Sequence, residues 1–175
     1  MFVKSCISII NKVSCFFHRL PRSSYVCEED GVSPYKKDYE DSLLEYFETP
    51  LGNYYLPNNA PRDIIINSMK YGKIFEPEVV DLALDYIRKD TVVLDVGANF
   101  GQMSVLFSQY VGENGIVYAF EADTFICDVL RMNIAANSCK NIKVVCKAVY
   151  DKNEAFVRYP IQDFKRFDSY GSYGL

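Results

Sequence analysis

The stretch Val92–Gly101 reads VVLDVGANFG: an apolar run of strand length that ends on an acid and then takes glycine at two positions, 97 and 101. A run without polar alternation belongs to a strand covered on both faces, which is the habit of parallel sheets in α/β folds. Ligands of such sheets bind beyond the carboxyl ends of the strands. Asp95 stands at that end. Gly97 and Gly101 allow a sharp turn and a close approach of ligand to backbone, where a side chain would obstruct it. A helix opening at Gln102 would aim its unpaired N–H groups into the same space.

The surrounding pattern supports this reading. Strand Thr91–Val96, helix Gln102–Val111 stopped by Gly112, strand Ile116–Phe120, helix Thr124–Asn137 and strand Ile142–Cys146 follow one another with short connections. Such alternation implies right-handed crossovers and a parallel sheet with helices on both faces. The expected class is α/β, a Rossmann-like doubly wound sheet. Upstream, SLLEYFETPLGNYYLP predicts a hairpin around Pro50–Asn53, and Pro61 opens a short helix through Met69. FEPEVVDLALDYIRKD predicts a helix with acids Glu76, Glu78 and Asp81 at its start and Arg88 and Lys89 at its end, both suited to the macrodipole. Its buried stripe would be Val79, Val80, Ala83, Leu84 and Ile87. The chain thus divides into a helix and linker (1–37), a hairpin and helix extension (38–70), and the α/β domain (71–175).

Charge narrows the partners. The net charge of −4 argues against nucleic acid, whose binders need a basic face. The first 22 residues carry Lys4, Lys12, Arg19 and Arg22 without an acid, so the remainder holds −8. In that segment Val3, Cys6, Ile7, Ile10, Val13, Phe17 and Leu20 share one helical face. The pattern suits a helix packed on the protein body, one lying on a membrane surface, or a disordered segment. Its apolar runs are too short for a secretory signal or a span. Six cysteines and a single histidine, His18, offer no zinc-ligand spacing. Cysteines within apolar patterns behave as small hydrophobes, so a reduced, cytoplasmic protein without a metal is expected.

A second acid completes the candidate site. Strand Ile116–Phe120 leads into Glu121, which can accept hydrogen bonds from the vicinal hydroxyls of a ribose. A dinucleotide fingerprint fails, because Asn99 and Gln102 stand where its second and third glycines belong. Asp95 would also repel a pyrophosphate. A carboxylate there suits a ligand with an ammonium and a sulfonium, and S-adenosylmethionine carries both beside its ribose.

VLDVGANFG followed by VYAFEAD closely resembles the FkbM-type methyltransferases, with FEPEV and NIKVVCKAVYDKNEAF extending the likeness from Tyr71 onward. The resemblance implies that Asp95, Gly97, Asn99 and Gly101 line the methionine and ribose end of S-adenosylmethionine. It places Glu121 on the ribose hydroxyls, Ala122 beside the adenine, Lys147–Ala148 near the adenine edge, and Glu76 over the cofactor. It implies O-methylation of a sugar or another small hydroxylated metabolite, with no residue assigned as the general base. A full enzyme of that type continues through further strands and an Asp-x-Glu-Gly phrase that does not occur between Ala148 and Leu175. The expectation is therefore a truncated methyltransferase whose strand TVVLDV is left as a sheet edge. The alternative is a non-catalytic nucleoside-binding module.

Overall fold

A computed structural model describes residues 43–149 and 169–170. The amphipathic segment, His18, the linker and the expectations drawn past Val149 lie outside the described residues. No helix among those described is long and apolar enough to cross a membrane.

The polypeptide runs β1 (Leu44–Thr49), β2 (Gly52–Pro57), α1 (Ile64–Lys70), α2 (Pro77–Leu84), β3 (Val92–Val96), α3 (Gln102–Val111), β4 (Ile116–Glu121), α4 (Thr124–Ala136) and β5 (Ile142–Cys146). β1 and β2 form the expected hairpin, with Thr49 opposite Gly52. β3, β4 and β5 form a parallel sheet in that order, with Asp95 paired to Ala119 and Glu121 to Cys146.

Both crossover helices sit on one face of this sheet, not one on each. Val93, Val117, Ala119 and Val144 turn inward among Leu106, Phe107 and Val111 of α3 and Leu130 of α4. The reason is topological: β3 to β4 and β4 to β5 step in the same direction, and two right-handed crossovers in one direction fall on the same side. On the other face Val92 and Val96 are 62% and 43% exposed, so β3 is the expected edge strand but is covered on one face, not on both, among the described residues.

Four further expectations change. α1 begins at Ile64, because the buried Asp63 caps it by accepting from the N–H groups of Ile65 and Ile66. α2 ends at Leu84, so Arg88 and Lys89 lie beyond it and cannot complement its dipole. Val79 is exposed, and only Val80 of that helix is fully buried. Finally, Cys127 in the first turns of α4 and Cys146 at the end of β5 form a disulfide, with Cys139 free. That corrects the reading of every thiol as reduced. The helix and strand patterns gave each cysteine a hydrophobic position, but only the β4–α4–β5 crossover brings these two together.

The hairpin is joined to the α/β body by amide side chains of α4. Asn133 accepts from Tyr55 N–H at 2.6 Å and donates to Tyr55 O at 3.2 Å, while Asn137 accepts from Asn53 N–H at 2.8 Å and donates to Asn53 O at 2.7 Å. Spaced one helical turn apart, the two amides stand in for a neighbouring strand along the edge of β2. Tyr54 and Leu56 fill the core between, with Ile66, Met69, Phe100, Ile126, Val129 and Tyr170. Asn133→Leu leaves buried backbone groups of Tyr55 and Phe100 without partners. It is expected to lower unfolding free energy by about 2–4 kcal/mol, read as a lower urea midpoint.

Candidate functional site

The carboxyl ends of β3 and β4 build the site around one acid. Glu121 Oε2 accepts from Asn99 N–H at 2.9 Å, and its Oε1 accepts from the N–H groups of Ala122 at 2.7 Å and Asp123 at 2.9 Å. A carboxylate offers roughly four acceptor directions, so Oε2 retains capacity for a hydroxyl donor. The turn after β3 is fixed from the same strand: Gly97 and Ala98 both donate to Phe120 O at 2.9 Å.

Each residue of that turn has a distinct reason. Gly97 has φ +82° with no atom within 4 Å of where a Cβ would stand, so it fronts open space. Asn99 has φ +50°, a left-handed conformation that asparagine tolerates, and its Oδ1 accepts from Phe100 N–H at 2.7 Å. Its side chain is thereby turned onto its own backbone, and its N–H is the part that reaches Glu121. Gly101, φ +90°, is buried, and a Cβ there would collide with Leu130 of α4. The sharp turn expected of Gly101 is present, and packing against α4 adds a second requirement for glycine there that the sequence reading did not include.

Asp95 also departs from the simple picture. It is 8% exposed beneath the turn, and Ser104 Oγ donates to its Oδ2 at 2.5 Å. Desolvation by burial and then the charge of Glu121 push its carboxyl up to about 6, against the Ser104 hydrogen bond, which lowers it. A cationic ligand near Asp95 would favour the ionised form. Ala122 follows Glu121 directly, and Ala148 lies just past the end of β5, whose Cys146 is the register partner of Glu121. The structure therefore gathers Asp95, Gly97, Asn99, Glu121 and Ala122 at two adjoining strand ends, with Ala148 at the third. Glu76 is exposed and left-handed, φ +53°, at the N-cap of α2, where its side chain makes no capping bond.

Three supporting residues were not foreseen. Ser104 lies on the strand-facing side of the first turn of α3. Asn133 Nδ2 donates to Phe100 O at 2.9 Å and so reaches the turn from α4. Gln102, 5% exposed, accepts from Phe75 N–H at 2.9 Å and donates to Lys73 O at 2.8 Å. The available signal was polar residues inside otherwise apolar helix faces, where asparagine is a poor helix former and needs a reason.

A parallel sheet with a glycine turn after one strand and a backbone-held acid on the next is the arrangement of Rossmann-like methyltransferases. The family model of protein-L-isoaspartate(D-aspartate) O-methyltransferase (PCMT) matches residues 45–155, and the chain belongs to that family. The protein-L-isoaspartate O-methyltransferase of Thermotoga maritima is 25% identical over 112 residues, covering 61% of this chain and 33% of the relative. Among solved structures, a protein-L-isoaspartate O-methyltransferase matches at 19% identity and TM-score 0.40, covering 74% of this chain and 35% of its own. A SAM-dependent methyltransferase from Aquifex aeolicus matches at 29% identity and TM-score 0.39, covering 45% of this chain and 40% of its own. The chain thus spans about a third of the length of the curated relative it matches. The narrower FkbM-type resemblance finds no support in these matches.

Two expectations follow from the geometry. Gly101→Ala should destabilise by about 2–3 kcal/mol, through crowding of the buried Leu130 side chain added to the strain of a left-handed φ. Gly97→Ala should cost about 1 kcal/mol of backbone strain alone; thermal melts separate the two. Asp95 contributes its stabilisation when protonated: fully below the unfolded carboxyl value near 4, and lost as pH rises through about 6. Asp95→Asn is accordingly expected to stabilise the fold at pH 7 by about 2 kcal/mol and to lose that advantage below pH 4, read by urea unfolding across pH.

Proposed function

We propose that this chain forms the S-adenosylmethionine-binding part of an O-methyltransferase whose acceptor is the carboxylate of an isoaspartyl residue in a protein. The observation that carries the cofactor reading is Glu121, presented by three backbone N–H groups with an acceptor direction left beside the open Gly97 turn. The residues fit the group. Glu121 would take the ribose hydroxyls, Gly97 leaves room for the sulfonium side, and the ionised Asp95 below favours a cation. When bound, the cofactor supplies an electrophilic methyl on sulfur; transfer breaks the carbon–sulfur bond as the carbon–oxygen bond forms.

The protein's part is alignment and exclusion of water. Asp95 would set a negative charge beside the cationic sulfonium side of the bound cofactor, and the backbone-tethered Glu121 would keep the nucleoside from sliding along the strand ends. A carboxylate acceptor is already ionised at neutral pH, so it asks for no general base. A sugar hydroxyl, the acceptor expected from the FkbM-type resemblance, would need one within hydrogen-bond reach. The family match favours the carboxylate. The Cys127–Cys146 bond removes the reduced-thiol argument on which the expected cytoplasmic location stood.

Calorimetry with S-adenosylhomocysteine tests the cofactor site. The chain should bind it, and Glu121→Gln should weaken binding by about tenfold or more, the worth of one charge-assisted hydrogen bond. Absence of binding by the unaltered chain would remove the reading. For the acceptor, radiolabelled methyl transfer to an isoaspartyl peptide should yield a product released by mild alkali, as esters are. An alkali-stable ether formed on a sugar would instead establish the hydroxyl acceptor.

A further inference from the structure

The mechanism leaves one buried polar group unused. Gln102, the first residue of α3 after Gly101, has its side-chain amide committed to a single backbone segment: it accepts from Phe75 N–H and donates to Lys73 O. A helix-surface glutamine normally spends its amide on water; this one is 5% exposed and makes the paired bonds that a neighbouring strand would make. The segment it holds is bracketed by two left-handed residues, Gly72 at φ +62° and Glu76 at φ +53°. Glu76 lacks the steric licence of glycine, a conformation that persists only where the surroundings impose it.

Placement gives this clamp a direction. Gln102 opens α3 directly after the β3 turn, and Ile74, between the two clamped residues, packs on the cluster of Val80, Leu106, Phe107, Val111 and Val117, which Val93 and Met103 also join. The segment therefore lies on the β3–α3 side of the turn, while Glu121, Ala122 and the Cys127–Cys146 bond lie on the β4–β5 side. With adenine at Ala122 and Ala148, as the cofactor reading has it, a ligand whose ribose sits on Glu121 turns its amino-acid end the other way, toward β3, Gly97 and Asp95. The segment that Gln102 holds stands on that same side, at the start of α3.

We propose that Gln102 is a positioning residue for the amino-acid end of the cofactor, acting through the Lys73–Phe75 backbone and not by touching the ribose end. This rests on the cofactor reading given above. It requires the amide at this position: methionine preserves length and helix propensity but provides neither the acceptor nor the donor.

The test compares two ligands on the full chain by calorimetry, S-adenosylhomocysteine and adenosine, which lacks the amino-acid end. In Gln102→Met the dissociation constant of S-adenosylhomocysteine should rise about tenfold, the worth of roughly one hydrogen-bonded contact. That of adenosine should move less than about twofold, since its ribose contact at Glu121 is intact. Hydrogen exchange at Phe75 N–H should accelerate in the same variant while amides of β4 keep their protection. A merely structural role would weaken both ligands alike, and that result, or an unchanged Phe75 amide, overturns the proposal. Where Gln102→Met does not fold, Gln102→Glu keeps the acceptor for Phe75 and removes only the donor to Lys73. The same ligand pair then decides, with selective weakening supporting the role and equal or absent weakening overturning it. If the unaltered chain binds neither ligand, the cofactor reading itself falls; if it binds both and the variants do not discriminate, only the role of Gln102 falls.

Discussion

Three backbone N–H groups converge on the carboxylate of Glu121, from Asn99 on one side and from Ala122 and Asp123 on the other. This acid is the point at which the turn after β3 and the entry to α4 are held to one another. Phe120, one residue earlier, takes the N–H groups of Gly97 and Ala98 on a single carbonyl. A turn with three left-handed residues, at 97, 99 and 101, would otherwise sample many conformations. Charge-assisted bonds of this kind are about twice as strong as neutral ones. The geometry of the site is thus largely made before any ligand arrives.

Around that centre, side-chain amides take the place of missing strands. Asn133 and Asn137 pair with Tyr55 and Asn53 along β2, and Gln102 pairs with Lys73 and Phe75. Each occupies a backbone edge that the described sheet does not reach, and each satisfies groups that would be costly to bury alone. Asn133 does more, since the same amide reaches Phe100 in the turn. The hairpin, α4 and the turn after β3 are consequently one hydrogen-bonded unit, a coupling that no stretch of the chain displays on its own.

Asp95 illustrates a compromise between fold and site. Burial and the proximity of Glu121 make its charge unfavourable, and Ser104 recovers only part of the loss. Such tension is common where a protein must keep a group poised for a ligand. The face of the sheet with Val92 and Val96 carries the opposite signature: apolar side chains left exposed on an edge strand.

What the sequence determined by itself is local and periodic. α3, β5, the hairpin and the parallel β3–β4–β5 sheet were legible because hydrophobic period, glycine stops and short connections act over a few residues. The positions of Glu121 and Gly97 at strand ends were legible because the apolar runs before them fix where each strand stops. What only the tertiary structure decided depends on residues far apart in the chain: the collision with Leu130 that fixes Gly101, the Cys127–Cys146 bond, the Ser104 partner of Asp95, and the amide bridges of Gln102 and Asn133. The common fold face of α3 and α4 belongs there too, since it follows from the direction in which successive crossovers step. Side-chain chemistry is written at each position, but its partner is chosen only when the crossovers close.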